Sequence, residues 1–105
     1  MFAMTSQGHP YARLRRALAT GNLTLIRAAA ADVPRVELGD ALTVCMAIRQ
    51  HDHARFDRAA LKWIARYCLE RPTATLADVR AAAAAFEAMG HNPEGALAQL
   101  QRLCI

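Results

Sequence analysis

This chain lacks most of the motifs that mark an enzyme, a secreted protein or a membrane protein. It contains no Gly-rich phosphate loop, no GxSxG and no HExxH, which excludes the common nucleotide-binding, hydrolase and zinc-peptidase signatures. No stretch approaches the ~18 consecutive apolar residues of a membrane-spanning helix. The start, MFAMTSQGHP, has neither the charged nor the apolar region of a secretory signal. We therefore expect a non-enzymatic, cytoplasmic protein.

The sequence also has few residues that could bind a metal or form a disulfide. The three cysteines, Cys45, Cys68 and Cys104, are odd in number and form no CxxC pair, which argues against a disulfide framework and against a zinc site. Cys45 and Cys68 lie among apolar residues and are predicted to be inert core thiols. His51 and His53 are two positions apart and do not share a helix face, so they are poorly placed to bind the same zinc ion in tetrahedral geometry. We expect no metal and no cofactor.

Aromatic residues are scarce, whereas alanine is the commonest residue. The chain has 105 residues, of which 54% are hydrophobic and only 6% are aromatic. Alanine has the highest helix propensity and loses no side-chain entropy on burial. This composition predicts closely packed helices in one domain over residues 10–105, preceded by a flexible N-terminus at 1–9.

Helix start and stop signals divide this domain into six segments. Pro10 suits a first turn, and Gly21 and Asn22 end one helix and cap the next. Asp52 can cap the fourth helix, and Thr75 with Asp78 has the spacing of a capping box at the start of the fifth. The predicted helices cover about 10–21, 23–32, 37–50, 53–71, 75–90 and 92–104. Because the links are short, sequential neighbours should be antiparallel. The predicted fold is all-α: a compact bundle of about six short helices, paired as hairpins over 10–33, 37–71 and 75–104.

The third predicted helix is apolar on all sides of its centre, 41–48, except at Thr43. A helix of this kind is buried on most of its faces. The alternative is a buried β-strand, because Val, Ile, Thr and Cys tolerate either state. Helix is favoured, since the chain offers no second strand-like segment to pair with it.

Two resemblances accompany this pattern. The segment 14–34 resembles one tetratricopeptide-like hairpin, with a Gly-Asn turn and a closing Pro34, and the three hairpins resemble a short stack of the tetratricopeptide or HEAT kind. The signature positions and a fixed period are missing, so a compact bundle is favoured over a solenoid-like stack. The blocks 55–70 and 75–78 are similar to small Ala/Arg-rich helical proteins of high-GC actinobacteria. That class has no known function, and the resemblance implies a bacterial cytoplasmic setting.

The fourth predicted helix carries the one strong charge pattern. The spacing of 3, 4 and 4 residues brings four cations to one side of this helix. We call this set the basic ridge: Arg55, Arg58, Lys62 and Arg66. An adjacent arc is predicted to face the core: Phe56, Ala60, Trp63, Ile64 and Tyr67, with Leu61 and Cys68 at its edge. The ridge is either a solvated face, a row paired with acids of other helices (Asp32, Glu37, Asp40, Asp78 or Glu87), or a surface that binds an anion or a partner.

These patterns favour a protein–protein interaction module that binds a partner protein or forms a homo-oligomer. The run Ala81–Ala85 indicates a close helix contact, either inside the fold or at a dimer interface. The alternative function is binding of nucleic acid or another polyanion through the basic ridge, which the net charge of +4 permits but does not require.

Overall fold

Six α-helices account for most of the chain in a computed structural model that describes residues 9–105. Their bounds are α1 Pro10–Thr20, α2 Leu23–Ala30, α3 Leu38–His51, α4 Phe56–Glu70, α5 Leu76–Ala88 and α6 Pro93–Leu103, with a short 3-10 turn at His53–Arg55. The described residues contain no strand, so the all-α prediction is confirmed. None of these helices is both long and apolar enough to cross a membrane. The predicted flexible segment 1–9 lies, apart from His9, outside the described residues.

The helix ends follow the local signals in the sequence. Gly21 takes a left-handed φ of 69° after α1, a conformation that favours glycine. The side chain of Asn22 then accepts a hydrogen bond from the N–H of Leu25 and caps α2. Thr75 and Asp78 form a reciprocal capping box at the start of α5. These caps keep the links short and set the antiparallel hairpins.

One predicted cap is wrong. Asp52 was expected to cap the fourth helix, but its side chain makes no capping hydrogen bond. The chain enters α4 through the 3-10 turn instead, and the Asp52 carboxylate lies near two guanidinium groups, those of Arg27 and Arg55, at 3.4 Å each. Asp52 therefore joins α2 to the start of α4 electrostatically.

Helix α3 is the centre of the packing, because α1, α2, α4 and α6 all contact it. It supplies side chains to two separate buried clusters. The aromatic cluster joins α3 to α4, α5 and α6: Leu38, Leu42, Cys45, Phe56, Ala60, Trp63, Tyr67, Ala82, Ala85, Phe86, Met89, Ala96 and Leu100. The aliphatic cluster joins α3 to α1 and α2: Leu14, Ala17, Leu23, Ile26, Ala29, Val33 and Ala47. Burial against both clusters explains why α3 is apolar all round, and the β-strand alternative is excluded.

The predicted aromatic arc of α4 forms the middle of the aromatic cluster. Trp63 is only 2% exposed, and its Nε1 donates a hydrogen bond to the carbonyl oxygen of Leu38 at 2.9 Å. Its ring stacks on Tyr67 with centroids 5.8 Å apart and meets Phe86 edge-on at 5.7 Å. The predicted arc was too wide, because Leu61, which was placed at its edge, is 61% exposed.

Candidate functional site

The four cations of the basic ridge lie in unequal surroundings. Arg55 is exposed and its Nε is 3.4 Å from a carboxylate oxygen of Asp52. Arg66 is half-buried, and its Nε donates to Glu70 at 2.5 Å. Arg58 and Lys62 are exposed, and among residues 9–105 no carboxylate lies within 4.0 Å of either. The ridge is thus neutralised at its two ends and open in its middle.

The acids that neutralise the ridge are not those named from the sequence. In the described part of the chain, none of those five carboxylates pairs with the ridge: Asp32, Glu37, Asp40, Asp78 and Glu87. The ridge pairs instead with Asp52 and Glu70. Glu70 also accepts a hydrogen bond from Arg35 at 2.9 Å. The hydrogen bond from Arg66, joined by that from Arg35, lowers the pKa of Glu70 below its usual value.

An apolar groove runs beside the open part of the ridge. Helices α2 and α4 both pack against α3 but not closely against each other, which leaves a depression of about 250 Å³ between them. Its floor is formed by α3, and Lys62 and Arg66 border it on α4. The groove is lined by Ala30, Val36, Ala41, Val44, Cys45, Ile48, Ala59, Lys62, Trp63 and Arg66. Helical periodicity alone does not predict this groove.

A signal for the groove was nevertheless present in the sequence. Helix α3 is apolar on nearly every face, and its neighbours cover only part of that surface. Val44 and Ile48 pack on the aliphatic cluster yet stay half-buried, and Ala41 does the same on the aromatic cluster. The uncovered remainder of α3 becomes the groove floor.

Arg66 has one hydrogen-bonding group left over at the groove border. Its Nη2 is buried and has no hydrogen-bond partner among the described residues, although its Nε is bonded to Glu70. A buried donor without an acceptor is costly, and more so when the group is charged. This N–H group can donate to a further carboxylate or carbonyl oxygen only after it becomes accessible.

Two cysteine predictions have different outcomes. Cys45 is buried in the groove floor, and burial raises the pKa of its thiol to about 11, so the prediction of an inert core thiol is supported. Cys68 is exposed, and its assignment to the core was wrong. Position 68 lies about 140° around the helix axis from Trp63, which turns it away from the aromatic cluster. Cys104 is half-buried, and burial also raises its pKa.

The described residues do not bring three or more His, Cys, Asp or Glu side chains together in a group suited to a metal ion. His51 and His53 are both exposed at the α3–α4 junction. The ring nitrogen Nδ1 of His53 lies 3.4 Å from the carbonyl oxygen of Arg49, which is a local helix-end contact.

The charge of the molecule is unevenly distributed around the groove. Six of the thirteen cations belong to the ridge or to the acids that pair with it: Arg27, Arg35, Arg55, Arg58, Lys62 and Arg66. Only two of the nine acids, Asp52 and Glu70, accompany them. The other seven cations and seven acids balance by count. At the groove itself, Lys62 and Arg66 are among the lining residues and no carboxylate is.

The comparisons with known proteins returned no match to a protein-family model, to a curated protein or to a solved structure.

Proposed function

We propose that this chain is a non-enzymatic protein–protein interaction module that docks a partner in the groove between α2 and α4. The observation that carries the proposal is the apolar floor of α3 beside Lys62, an exposed cation with no carboxylate partner in residues 9–105. Exposed apolar surface bordered by polar groups is typical of interaction sites. The groove combines both properties in one place.

The size of the groove favours a protein segment over a small molecule. Pockets for small ligands usually enclose roughly 300–1,000 Å³, whereas this groove offers about 250 Å³ and is open along its length. An open trough suits the side chains of a helix or an extended segment, whose remaining surface stays in solvent. The three free cysteines, together with the resemblance to actinobacterial proteins, support a bacterial cytoplasmic setting.

Site-specific photo-crosslinking in the native cells tests the docking surface. A photoreactive residue at Lys62 borders the groove, and one at Arg102, exposed on α6, serves as the matched control. We expect a discrete crosslinked protein from position 62 and none from position 102. The product is identified by mass spectrometry, and a product containing two copies of this chain would identify a homo-oligomer.

The crosslink must depend on the groove itself. Val44→Ser makes the groove floor polar while removing little volume, and we expect it to reduce the product from position 62. Circular dichroism confirms that the variant is folded. Equal crosslinking from positions 62 and 102, or a product unaffected by Val44→Ser, would contradict docking in the groove.

Polyanion binding remains the second candidate, because Arg58 and Lys62 are exposed without an ion-pair partner in the described residues. If both cations contact phosphates, the logarithm of the DNA-binding constant should fall with the logarithm of the salt concentration with a slope of only about −2. Affinity for duplex DNA should then drop about tenfold between 50 and 200 mM salt. The double variant R58E/K62E should abolish this binding. The absence of DNA binding at 50 mM salt, measured by fluorescence anisotropy, would remove this candidate.

A further inference from the structure

We infer that the occupant of the groove is an acidic amphipathic helix of a partner protein, with apolar side chains on the α3 floor and carboxylates toward Lys62 and Arg66. This inference rests on the proposed function, since it assigns the chemistry of the partner that docks there. Three features of the molecule carry it: the spacing of the floor residues, the distribution of charge and the unsatisfied donor of Arg66.

The floor has the spacing of a helix-binding surface. Its residues on α3 are Ala41, Val44, Cys45 and Ile48, which are positions i, i+3, i+4 and i+7 of one helix. They extend over about 10 Å, or two helical turns. A helix laid in a groove of this kind presents its own apolar residues at the same intervals. The apolar side chains of a partner helix of two to three turns would cover this floor, while the rest of that helix stays in solvent.

The charge around the groove selects the sign of that partner. Two cations, Lys62 and Arg66, line the groove, and its lining contains no carboxylate. A basic helix would be repelled there, whereas acidic residues beside the apolar stripe of the partner would meet Lys62 and, further along the ridge, Arg58. Exposed cations of this kind raise the association rate and the specificity for a partner more than they raise its affinity.

Arg66 supplies a specific contact at one end of the groove. Its Nε is committed to Glu70, and its Nη2 has no partner in residues 9–105. The Arg66 side chain lines the groove and is 28% exposed, but Nη2 itself is buried, so it reaches a carboxylate of the partner only when the guanidinium turns on binding. A charge-assisted bond to a guanidinium is among the stronger hydrogen bonds, so this end of the groove would fix the register of the bound helix.

Two other occupants fit less well. A second copy of this chain would bring another face with the same positive border, which disfavours a symmetric contact through the groove. Nucleic acid would meet the cations but leave the apolar floor uncovered. Both are distinguished from an acidic helix by the experiment below.

The test uses three fluorescein-labelled 14-residue helical peptides with leucines at positions 1, 4, 5 and 8 and glutamate, glutamine or lysine on the polar face. Their binding to the full chain is measured by fluorescence anisotropy. We expect the glutamate peptide to bind at least about tenfold more tightly than the lysine peptide, with the glutamine peptide between them, because several exposed ion pairs each contribute up to about fivefold.

Charge reversal at the groove border provides the matched control. Lys62→Glu should weaken the glutamate peptide by about three- to tenfold and strengthen the lysine peptide. Arg80→Glu changes the net charge equally but lies exposed on α5, away from the groove, and should change neither affinity by more than about twofold. Reversal of the preference at position 62 and not at position 80 would localise the effect.

The remaining outcomes overturn the inference in distinguishable ways. Equal binding of all three peptides, abolished by Val44→Ser, would keep the groove as a docking site and refute the acidic partner. No binding by any peptide at millimolar concentration would refute the helical acidic partner, while crosslinking from position 62 decides the proposed function separately. Tighter binding of a 14-base-pair DNA duplex, unaffected by Val44→Ser, would reassign the ridge to polyanion binding.

Discussion

The two buried clusters that share α3 are built from different side chains. The aromatic cluster has four aromatic residues, Phe56, Trp63, Tyr67 and Phe86, and joins four helices. The aliphatic cluster has none and joins α3 only to the short helices α1 and α2, of 11 and 8 residues. Large rings bury more apolar area per residue and reach across wider gaps. We therefore expect the aromatic cluster to be the more stable part of the fold.

The groove lies where these two clusters meet without closing. Small side chains from both sides, Ala30, Ala41 and Ala59, leave space there that larger residues would have filled. The buried Trp63 and Cys45 belong to the aromatic cluster, whereas Val44 and Ile48 pack on the aliphatic one. The difference between the clusters thus accounts for the position of the candidate site.

The largest effect should come from Trp63→Ala in the aromatic cluster. Truncation of a buried ring costs about 3–5 kcal/mol of unfolding free energy, and the variant also loses the hydrogen bond to Leu38. Urea unfolding followed by circular dichroism measures the change. Trp63→Phe keeps a ring without the donor and should cost less. A loss below about 1 kcal/mol for Trp63→Ala would show that this cluster is not the stronger one.

Ile26→Ala should have the next largest effect and act mainly on the aliphatic cluster. Ile26 is fully buried there, and the truncation should cost about 2–4 kcal/mol if the whole molecule unfolds together. We expect amide hydrogen exchange to accelerate first in α1 and α2, while α4 and α5 keep their protection. Equal acceleration in all helices would show instead that the two clusters open as one unit.

The helix caps allow a smaller, matched comparison. Asn22→Ala removes the cap of α2, and Thr75→Ala removes half of the capping box of α5. Each should cost about 1 kcal/mol, and the double variant should be additive because the two caps belong to helices that pack in different clusters. Thr73→Ala, at an exposed position before α5, is the control. Thermal or urea unfolding gives the loss of unfolding free energy for each single variant and for the double variant. Strong non-additivity would contradict independent packing of the two clusters.

The ion pair of Glu70 should give a small, pH-dependent effect. The folded-state pKa of Glu70 is lowered by the Arg66 hydrogen bond, so its contribution is fully present above the unfolded value of about 4.3 and is lost as the pH falls through the lower folded value. Glu70→Gln should therefore cost about 1 kcal/mol or less at neutral pH. The difference from the wild type should shrink below about pH 4.

Urea titrations of Glu70→Gln from pH 3 to pH 7 measure this difference. Glu87→Gln, which removes an exposed carboxylate without an ion pair in the described chain, is the control. A stability difference for Glu70→Gln that does not change over this range would contradict the role of the carboxylate in the pair.

The smallest perturbation is alkylation of the thiols, which reports the packing of the fold. Cys68 is exposed and should react first with a maleimide at pH 7.5, and the half-buried Cys104 should follow. Cys45 is buried and its pKa is raised to about 11, so it should react only when the molecule opens. Mass spectrometry after timed quenching gives the order. Rapid labelling of Cys45 in the native state would show that the groove floor is open.

The sequence by itself determined the elements of this fold. Pro10, Gly21, Asn22 and the Thr75 capping box act on the few residues next to them, through backbone geometry and local hydrogen bonds, so the helix limits could be predicted closely. The position of Trp63 in the core also followed from helical periodicity alone. The all-apolar centre of α3 predicted burial on most faces, which its place between two clusters fulfils.

Tertiary structure decided what the surface of those helices became. The ridge partners Asp52 and Glu70 are local, three residues before Arg55 and four after Arg66, so helical spacing could have identified them. Only the approach of α2 and the loop after it decided that Arg27 and Arg35 would share the same two carboxylates. The exposure of Cys68 and the groove beside Lys62 likewise depend on where neighbouring helices stop covering an apolar face. Local signals fix where a helix begins and ends, whereas only the packing of distant segments decides which of its faces stays exposed.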